Sequence, residues 1–230
     1  MPAPVCVFDA YGTLFDVSAA ARRLAAEPGR EVFAAVWPRL SELWRLKQLQ
    51  YTWLRTAAGV HADFETVTRE ALDWAAEAVG GLSAEDRGAL MALYRRLDAY
   101  PEVAEVLAAL KAAGARTAIL SNGAPAMLAA AVESAGIGDA LDAVLSAESV
   151  GRFKPAPEVY GLVGRRFGTA AGQVLFVSSN GWDAAAAAGY GFRTLWVNRA
   201  AEPVERLPWR PERIAADLTG APAAAAALTT

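Results

Sequence analysis

The sequence predicts an α/β fold, in which a doubly wound, Rossmann-like parallel sheet forms the core and an all-helical cap domain is inserted after the first strand. Short β-type runs alternate with helical runs from residue 103 to the end of the chain, which is typical of βαβ units. One further β-type run, residues 5–8, opens the chain. Residues 17–100 contain helical spacing and no convincing strand. We therefore expect a core of residues 1–16 and 99–230 and a cap of residues 17–98.

The composition is that of a globular protein. Apolar residues make up 54% of the 230 residues, charged residues make up 20%, and the net charge is −3. A disordered chain has low hydrophobicity and high net charge, and this chain has neither. No apolar run reaches the ~20 residues that a membrane-spanning helix needs. The net negative charge does not indicate the basic surface that proteins use to bind nucleic acid. We expect no nucleic-acid partner and no membrane association.

The scarcity of cysteine and histidine limits the possible chemistry. Cys6 is the single cysteine, which excludes an internal disulfide and a site with several thiolate ligands. His61 is the single histidine, which argues against a histidine-rich zinc site and a Ser-His-Asp triad. The first nine residues lack the basic stretch of a secretory signal, so we expect a cytoplasmic protein. An enzyme of this composition must use carboxylates, Arg, Lys and hydroxyl groups.

The predicted elements follow in chain order. Five short runs of β-forming residues are predicted strands: residues 5–8, 117–120, 143–145, 174–177 and 194–197. Three longer runs with helical spacing are predicted cap helices: residues 32–58, 65–79 and 84–97. Gly59, Gly80 and Gly81 supply breaks between these helices, and Ser83 is a candidate N-cap. Residues 221–230 are predicted to form a final surface helix that frays.

Polar, small or charged residues follow four of the predicted strands. They are Asp9, Ala10, Tyr11, Gly12 and Thr13 after the first strand, Ser121, Asn122 and Gly123 after the second, Lys154 and Pro155 beyond the third, and Ser178, Asn180, Trp182 and Asp183 after the fourth. Because the carboxyl ends of parallel strands meet at one edge of a sheet, we expect these residues to form one site. Taken singly, each has an ordinary structural interpretation as a helix cap, turn, loop or core residue. Their joint occurrence favours an active site with two carboxylates and one ammonium.

These runs resemble the four motifs of the haloacid dehalogenase superfamily. Residues 9–14 resemble motif I, residues 120–123 motif II, Lys154 with Pro155 motif III, and residues 178–183 motif IV. The resemblance extends over essentially the whole chain. It implies the haloacid dehalogenase fold, with Asp9 as the nucleophile.

One departure from the superfamily pattern concerns Tyr11. The phosphatases of the superfamily carry a second Asp at this position, two residues after the nucleophile, and this Asp protonates the alkoxide leaving group. A phosphatase must also hold Mg²⁺ against a phosphoryl dianion. A halide other than fluoride is a weak base and leaves without a proton. Tyr11 therefore indicates carbon–halide chemistry, for which we expect no metal and no other cofactor.

A second signature lies in the predicted cap. Residues 43–55, Leu-Trp-Arg-Leu-Lys-Gln-Leu-Gln-Tyr-Thr-Trp-Leu-Arg, resemble the helix of L-2-haloacid dehalogenases that places an arginine over the nucleophile. The resemblance makes Arg45 the halide-binding arginine. Leu46 departs from the family, which often has glutamine there, and this leaves the preferred substrate size and halide open.

The resemblance implies a two-step hydrolysis of an (S)-2-haloacid to an (R)-2-hydroxyacid and halide, with inversion at C2. Asp9 attacks C2 and forms a covalent ester, Lys154 favours the ionised form of Asp9, and Asp183 activates the water that hydrolyses the ester. The other implied roles are halide binding by Arg45 and Asn122, carboxylate binding by Ser121 and the backbone N–H groups of Ala10 and Tyr11, orientation of Asp9 and Lys154 by Thr13 and Ser178, and support of Asp183 or the water by Asn180. Tyr160 resembles a family tyrosine near Lys154, and a tyrosine of a helix core is the alternative. An apolar wall around the alkyl group of the substrate is predicted from Tyr11, Leu49, Phe64 and Trp182, with ordinary packing as the alternative for each.

The expected partners are a small 2-haloalkanoic acid and a halide ion, and the resemblance adds a homodimer formed through cap and core helices. Fluoroacetate stays open as a further substrate, because its carbon–halogen bond is stronger. Two other functions stay open as well. One is a phosphatase or phosphonate hydrolase of the same superfamily, and the other is a catalytically silent member that binds small acids.

Overall fold

The computed structural model describes residues 3–93 and 96–228, which contain eight strands and nine α-helices. The strands are β1 (Val5–Phe8), β2 (Phe15–Asp16), β3 (Asp98–Ala99), β4 (Arg116–Ser121), β5 (Ala143–Ser146), β6 (Val174–Ser178), β7 (Arg193–Val197) and β8 (Arg213–Ala215). The helices are α1 (Ala19–Ala25), α2 (Glu31–Ala58), α3 (Phe64–Ala78), α4 (Ala84–Leu93), α5 (Val103–Ala112), α6 (Pro125–Ser134), α7 (Pro157–Phe167), α8 (Gly181–Tyr190) and α9 (Ala221–Ala226).

A six-stranded parallel sheet forms the core, with the strand order β5-β4-β1-β6-β7-β8. β1 lies inside the sheet, and all four of its residues are buried. Phe8, the last residue of β1, pairs with Ile119 of β4 and with Val177 of β6. The residues that follow β1, β4 and β6 therefore reach the same edge of the sheet, as in other doubly wound folds. The predicted fold class is confirmed.

The five predicted strands of the core are confirmed, and none of them differs from the observed strand by more than one residue at either end. The prediction of no strand in residues 17–100 is wrong. β3 lies in that segment and pairs antiparallel with β2, with Phe15 opposite Ala99. A strand of two residues is too short to show the alternation by which strands are recognised in a sequence. β8, at the edge of the large sheet, was not predicted for the same reason.

The helices between β2 and β3 end at the predicted glycines. α2 is followed by Gly59, whose φ of 70° lies in the left-handed region that glycine adopts readily. α3 ends shortly before Gly80 and Gly81, and both also have positive φ angles. These turns allow α2 and α3 to fold back on one another.

The fourth helix of this segment is shorter than predicted. Ser83 accepts a hydrogen bond of 2.9 Å from the Asp86 N–H and so caps the start of α4, as predicted. The sequence predicts a helix over residues 84–97, but Arg96 and Leu97 are not helical, and α4 is described from Ala84 to Leu93. Residues 94–95 lie outside the described residues, and β3 begins at Asp98.

The long helix α2 buries one stripe of side chains and packs mainly against α3. The stripe has helical spacing and includes Phe33, Leu40, Trp44, Gln48 and Thr52. It is apolar in its first half and polar in its second half. The buried polar half of α2 is the part that lies beside the candidate site described below.

The last helix differs from its prediction as a surface helix. Ala221, Ala224 and Ala225 of α9 are buried, and α9 packs against α5. Alanine has a short side chain that lets two helices approach closely, so an alanine-rich helix gives no sequence signal that separates a buried face from an exposed one. Residues 229–230 of the predicted helix lie outside the described part of the chain. Among the described helices, none has the length and apolar character needed to cross a bilayer.

Candidate active site

The carboxyl edge of the sheet gathers the side chains predicted to form the site. Asp9 follows β1 directly, and its N–H donates to Val177 O over 2.9 Å, which extends the pairing with β6 by one residue. Asn122 follows β4, Lys154 lies beyond β5, and Asp183 lies in the first turn of α8. Four separate segments of the core thus meet around Asp9.

Three donors hold the Asp9 carboxylate. Lys154 Nζ donates to Oδ1 over 3.0 Å. The Thr13 hydroxyl lies 3.1 Å from Oδ2, and the Asn180 Nδ2 donates to Oδ2 over 2.9 Å. The Asp9 side chain is 9% exposed. The carboxylate is therefore fixed in orientation while one face stays accessible.

Lys154 lies between two carboxylates. Its Nζ is 3.0 Å from Asp9 Oδ1 and 2.8 Å from Asp183 Oδ2, and its side chain is 1% exposed. Burial alone would lower the pKa of Lys154, but the charges of Asp183 and Asp9 outweigh burial and raise the pKa above its ordinary value. Lys154 is therefore an ammonium at neutral pH. Its backbone N–H donates to Asn122 Oδ1 over 2.8 Å, which fixes the turn that carries it.

Asp183 is fully buried and accepts three hydrogen bonds. Its Oδ2 accepts from Lys154 and, over 3.1 Å, from the Ser178 hydroxyl. Its Oδ1 accepts from the Tyr160 hydroxyl over 2.7 Å. Burial raises the pKa of Asp183 against the opposing effects of the Lys154 ammonium and the Tyr160 hydrogen bond. Burial also raises the pKa of Tyr160 well above its ordinary value, so Tyr160 stays neutral and donates.

Two observed contacts differ from the roles expected from the sequence. Ser178 was expected to orient Asp9 or Lys154, but its hydroxyl donates to Asp183. Asn180 was expected to support Asp183 or the water, but its amide lies between Asp9 and Arg45. Sequence order places both residues at the right edge of the sheet and cannot tell which neighbour each side chain meets.

Arg45 reaches the site from α2. Its Nη2 donates to Asn180 Oδ1 over 3.1 Å, and its Nη1 donates to Gln48 Oε1 over 2.9 Å. These bonds use two of the five N–H groups of a guanidinium. Because Asn180 also donates to Asp9, a single amide connects Arg45 to the carboxylate. Arg45 was predicted at this site from the sequence, whereas Gln48 was not singled out.

Ser179 is a further site residue that the sequence analysis did not single out. Its N–H donates to Thr13 Oγ1 over 2.8 Å, and its hydroxyl lies 3.1 Å from the same atom. These contacts fix the Thr13 hydroxyl, which in turn contacts Asp9. Ser179 lies inside the fourth motif-like run, so its position in that run was the available signal.

Ser121 is the last residue of β4, and Asn122 follows it beside Lys154. The Ser121 hydroxyl oxygen accepts from the Gly123 N–H over 3.1 Å. Asn122 is 7% exposed, and its Oδ1 is taken by the Lys154 N–H. Ser121 is fully buried, and the contacts described for both side chains use only their oxygens as acceptors, so each retains the capacity to donate.

Aromatic rings close one side of the site. Tyr11 and Phe64 are stacked with their ring centroids 5.7 Å apart, and Phe153 lies 6.2 Å beyond Phe64. Gly123 makes this arrangement possible, because a Cβ atom there would come within 2.7 Å of the Tyr11 ring. The structure thus brings together Tyr11 of the core and Phe64 of α3, two of the four predicted wall residues.

The other two predicted wall residues are Leu49 of α2 and Trp182 of α8. Leu49 is one turn beyond Arg45 on α2. Trp182 packs edge-to-face on Trp53, one further turn along α2, with ring centroids 5.3 Å apart. Leu46, the residue beside Arg45 that departs from the family, is 55% exposed.

The charges of the site are balanced. Asp9 and Asp183 carry two negative charges, and Lys154 and Arg45 carry two positive charges. A carboxylate held by three donors can attack an electrophilic carbon, and the guanidinium can bind an anion that leaves. Within residues 3–93 and 96–228, no group of three or more His, Cys, Asp or Glu residues is arranged to hold a metal ion.

Comparisons with known proteins give one family. A family model described as haloacid dehalogenase-like hydrolase matches residues 3–191. (S)-2-haloacid dehalogenase 1 of Pseudomonas sp. (strain CBS-3) is 43% identical over 205 residues, which cover 89% of this chain and 88% of that protein. The (S)-2-haloacid dehalogenase of Xanthobacter autotrophicus is 46% identical over 198 residues, which cover 85% of this chain and 75% of that protein.

Solved structures agree in fold. The structure of the L-2-haloacid dehalogenase from Xanthobacter autotrophicus with chloropropionic acid covalently bound has a TM-score of 0.85 and 36% identity, and the match covers 96% of this chain and 98% of that chain. Another L-2-haloacid dehalogenase crystal structure has a TM-score of 0.88 and 41% identity, covering 98% of this chain and 100% of that one.

Proposed function

The chain belongs to the haloacid dehalogenase-like hydrolases, and from this premise we propose that it hydrolyses the carbon–halogen bond of (S)-2-haloacids to give (R)-2-hydroxyacids and halide. The observation that carries the proposal is the Asp9 carboxylate, held by Lys154, Thr13 and Asn180 and connected through Asn180 to Arg45. Tyr11 stands where a phosphatase needs a second carboxylate. The site therefore offers a nucleophile and an anion-binding cation, but no second carboxyl group two residues after the nucleophile.

In the first step, Asp9 displaces the halide from C2 of the substrate. Oδ2 already accepts two hydrogen bonds, whereas Oδ1 accepts one and keeps a lone pair for attack. The new bond joins Oδ1 to C2, the carbon–halogen bond breaks, and its electron pair leaves with the halide. Attack from the side opposite the halide inverts C2 and gives a covalent ester on Asp9. The bound chloropropionic acid in the Xanthobacter relative supports such an intermediate.

The leaving halide needs hydrogen-bond donors and positive charge in place of a proton. Arg45 supplies both, because the two amide oxygens that hold it use two of its five N–H groups. Asn122 supplies amide N–H groups from the core side, since its oxygen is taken by the Lys154 backbone. These two residues form the proposed halide site.

In the second step, water attacks the Cγ carbon of the Asp9 ester. The bond between Cγ and Oδ1 breaks, so Oδ1 leaves with the product and the new C2–O bond stays intact. One proton of the water passes through the base to Oδ1 and gives the product hydroxyl, and the other is released to solvent. Asp183 is the proposed base for this water, because burial raises the pKa of its carboxyl and Oδ1 accepts only the Tyr160 hydrogen bond. General base catalysis of this kind contributes roughly 10²–10⁴-fold.

The rest of the site orients the substrate. The Ser121 hydroxyl and the backbone N–H groups of Ala10 and Tyr11 bind its carboxylate in this proposal, and the stacked rings of Tyr11 and Phe64 line its alkyl group. Leu49 and Trp182 extend this wall.

The proposal also includes the domain boundaries, the oligomeric state and the cellular location expected from the sequence. Residues 17–98 form a cap domain on a core of residues 1–16 and 99–230, and this division is supported by the position of α1–α4 between the paired strands β2 and β3. Two copies of the chain form a homodimer, and the protein acts in the cytoplasm on a small 2-haloalkanoic acid. These remain proposals.

Halide release from (S)-2-chloropropionate in the presence of EDTA tests the proposed function. The expected result is stoichiometric chloride and (R)-lactate. Arg45→Ala should reduce kcat by at least about 10²-fold, as loss of a charge-stabilising donor does. Arg39→Ala is the matched control, because Arg39 lies on the same helix and is 63% exposed. Magnesium-dependent hydrolysis of an aryl phosphate without halide release would overturn the proposal in favour of a phosphatase. Fluoroacetate in the same assay decides whether the substrate range extends to fluoride.

A further inference from the structure

The guanidinium of Arg45 is held by two side-chain amides, one from the core and one from its own helix. Asn180 Oδ1 accepts from Nη2 over 3.1 Å, and Gln48 Oε1 accepts from Nη1 over 2.9 Å. An amide group has an oxygen end and a nitrogen end of similar shape. If either amide turned over, an N–H group would face the guanidinium and repel it. The orientation of each amide therefore decides whether Arg45 stays in place.

The Asp9 carboxylate fixes the orientation of Asn180. An ionised carboxylate only accepts hydrogen bonds, so the Asn180 nitrogen must face Asp9, as it does at 2.9 Å. The Asn180 oxygen then points to Arg45. The orientation of the Asn180 amide therefore follows from the negative charge of Asp9.

Thr68 of α3 fixes the orientation of Gln48. The Thr68 hydroxyl donates to the Phe64 carbonyl over 2.6 Å, so its oxygen is left as an acceptor toward Gln48. Gln48 Nε2 donates to that oxygen over 2.8 Å. The carbonyl end of Gln48 is thereby turned to Arg45. Gln48 is 1% exposed and Thr68 is fully buried, so water does not compete for these groups.

We propose that Gln48 and Thr68 are positioning residues for Arg45, and that their hydrogen bonds set how strongly Arg45 stabilises the leaving halide. This inference rests on the proposed function. A chain of donors with one fixed direction runs from Arg45 through Gln48 and Thr68 to the Phe64 carbonyl. Two residues that never touch the substrate thus control the residue that does.

The inference predicts a dependence on the leaving group. Chloride leaves less readily than bromide and relies more on a donor that meets its developing charge. A loosely held Arg45 should therefore slow displacement of chloride more than displacement of bromide. A variant that is only less stable loses the same fraction of active protein with both substrates, and its chloride-to-bromide rate ratio stays constant.

Thr68→Val and Thr52→Val form a matched pair for the test. Both threonines are fully buried in the helical segment, and both donate to a backbone carbonyl of their own helix, Thr68 to Phe64 O over 2.6 Å and Thr52 to Leu49 O over 2.7 Å. Thr68 alone accepts from Gln48. The two substitutions should lower Tm by similar amounts, and only the first should release the Gln48 amide.

Single-turnover halide release with enzyme in excess, using (S)-2-chloropropionate and (S)-2-bromopropionate, isolates the displacement step. We expect Thr68→Val to lower the chloride rate by about tenfold and the bromide rate by about threefold or less, because the released Gln48 amide no longer keeps its hydrogen bond to the Arg45 guanidinium. Thr68→Ser should restore the ratio of the unsubstituted protein, and Thr52→Val should leave it unchanged. An unchanged ratio in Thr68→Val would overturn the inference.

Bromide binding, followed by calorimetric titration, separates this inference from the proposed function. If the unsubstituted protein releases no halide from either substrate, the proposed function fails, and binding still reports on Arg45. Weaker bromide binding in Thr68→Val than in Thr52→Val supports the positioning role. Equal binding in the two variants refutes it.

Discussion

Lys154 allows two carboxylates to be buried in one site. A buried charge is costly unless it is paired, and Lys154 Nζ lies within 3.0 Å of both Asp9 and Asp183. Only three lysines occur in the chain, against many arginines, and this one is the most enclosed by carboxylates. A compact ammonium can contact two oxygens from different residues where a planar guanidinium would need more room.

Tyr160 sets the basicity of Asp183, and its removal should shift the pH dependence. Its hydrogen bond stabilises the ionised carboxylate and so opposes the effect of burial on the pKa of Asp183. Tyr160→Phe should raise that pKa further. Because the base must be ionised, the acid limb of ester hydrolysis should move to higher pH, by about one unit. The measurement is the pH profile of kcat with (S)-2-chloropropionate.

Tyr190→Phe is the control for this substitution. The Tyr190 ring lies 5.6 Å from the Tyr160 ring, so the two variants change the same aromatic cluster. The control should keep the acid limb of the unsubstituted protein. An acid limb that stays in place in Tyr160→Phe would contradict the assignment of Asp183 as the base.

Site residues that belong to a sequence motif were predicted. Site residues whose position depends only on the packing of helices were missed. Asp9, Lys154 and Asp183 follow strands in an order that predicts convergence, and they meet. Gln48 and Thr68 lie on helices whose sequence indicates only that one face is buried. The hydrogen bond between Gln48 and Thr68 depends on how α2 and α3 pack, and no local sequence pattern predicts that packing.

At the scale of elements, Glu148 ties the helical segment to the core. Phe64 is the first residue of α3, and its N–H has no partner within the helix, as is general at helix starts. Glu148, which follows β5, accepts from this N–H over 2.9 Å. A carboxylate at a helix start is also favoured by the helix dipole. The contact holds Phe64 in position above the core.

Glu148→Ala should lower the free energy of unfolding by about 1 kcal/mol, as loss of a helix cap does. Urea unfolding followed by circular dichroism measures the change. Glu133→Ala removes an exposed glutamate of α6 and should stay within about 0.5 kcal/mol of the unsubstituted protein. Equal stabilities for the two variants would show that the contact with Phe64 contributes nothing.

Five of the six strands of the large sheet were predictable because they are short runs rich in β-forming residues. β1 was predicted with its exact ends, since Val5–Phe8 is bounded by Pro4 and Asp9. β2 and β3 were missed because two residues show no periodicity. Burial of α9 was missed because alanine has similar patterns on buried and exposed helices.

At the scale of the whole molecule, alkaline pH should destabilise the fold through groups buried in protonated form. Burial raises the pKa of the Cys6 thiol from 9.0 to about 12. The folded chain therefore holds this proton more tightly than the unfolded chain does. Its contribution to stability is complete below about pH 9 and is lost as the pH rises toward 12.

Cys6→Ala isolates this contribution. The variant should be less stable below about pH 9, because it leaves a cavity in β1, but its stability should fall less steeply above that pH. Urea unfolding at a series of pH values from about 8 to 11 gives the slope of the free energy of unfolding against pH for the variant and for the unsubstituted protein. Lys154 and Tyr160, whose pKa values are also raised, contribute equally to the two proteins. Equal slopes in the two proteins would contradict the raised pKa of the Cys6 thiol.

A single turnover in ¹⁸O-labelled water, with the enzyme in molar excess over (S)-2-chloropropionate, tests most directly whether Asp9 forms the ester. Water that attacks the Asp9 carbonyl carbon leaves its oxygen in the Asp9 side chain, and the oxygen of the product comes from the enzyme. We predict labelled Asp9 and unlabelled lactate, read by mass spectrometry of the peptide and of the product. Labelled lactate with unlabelled Asp9 would mean that water attacks the substrate directly.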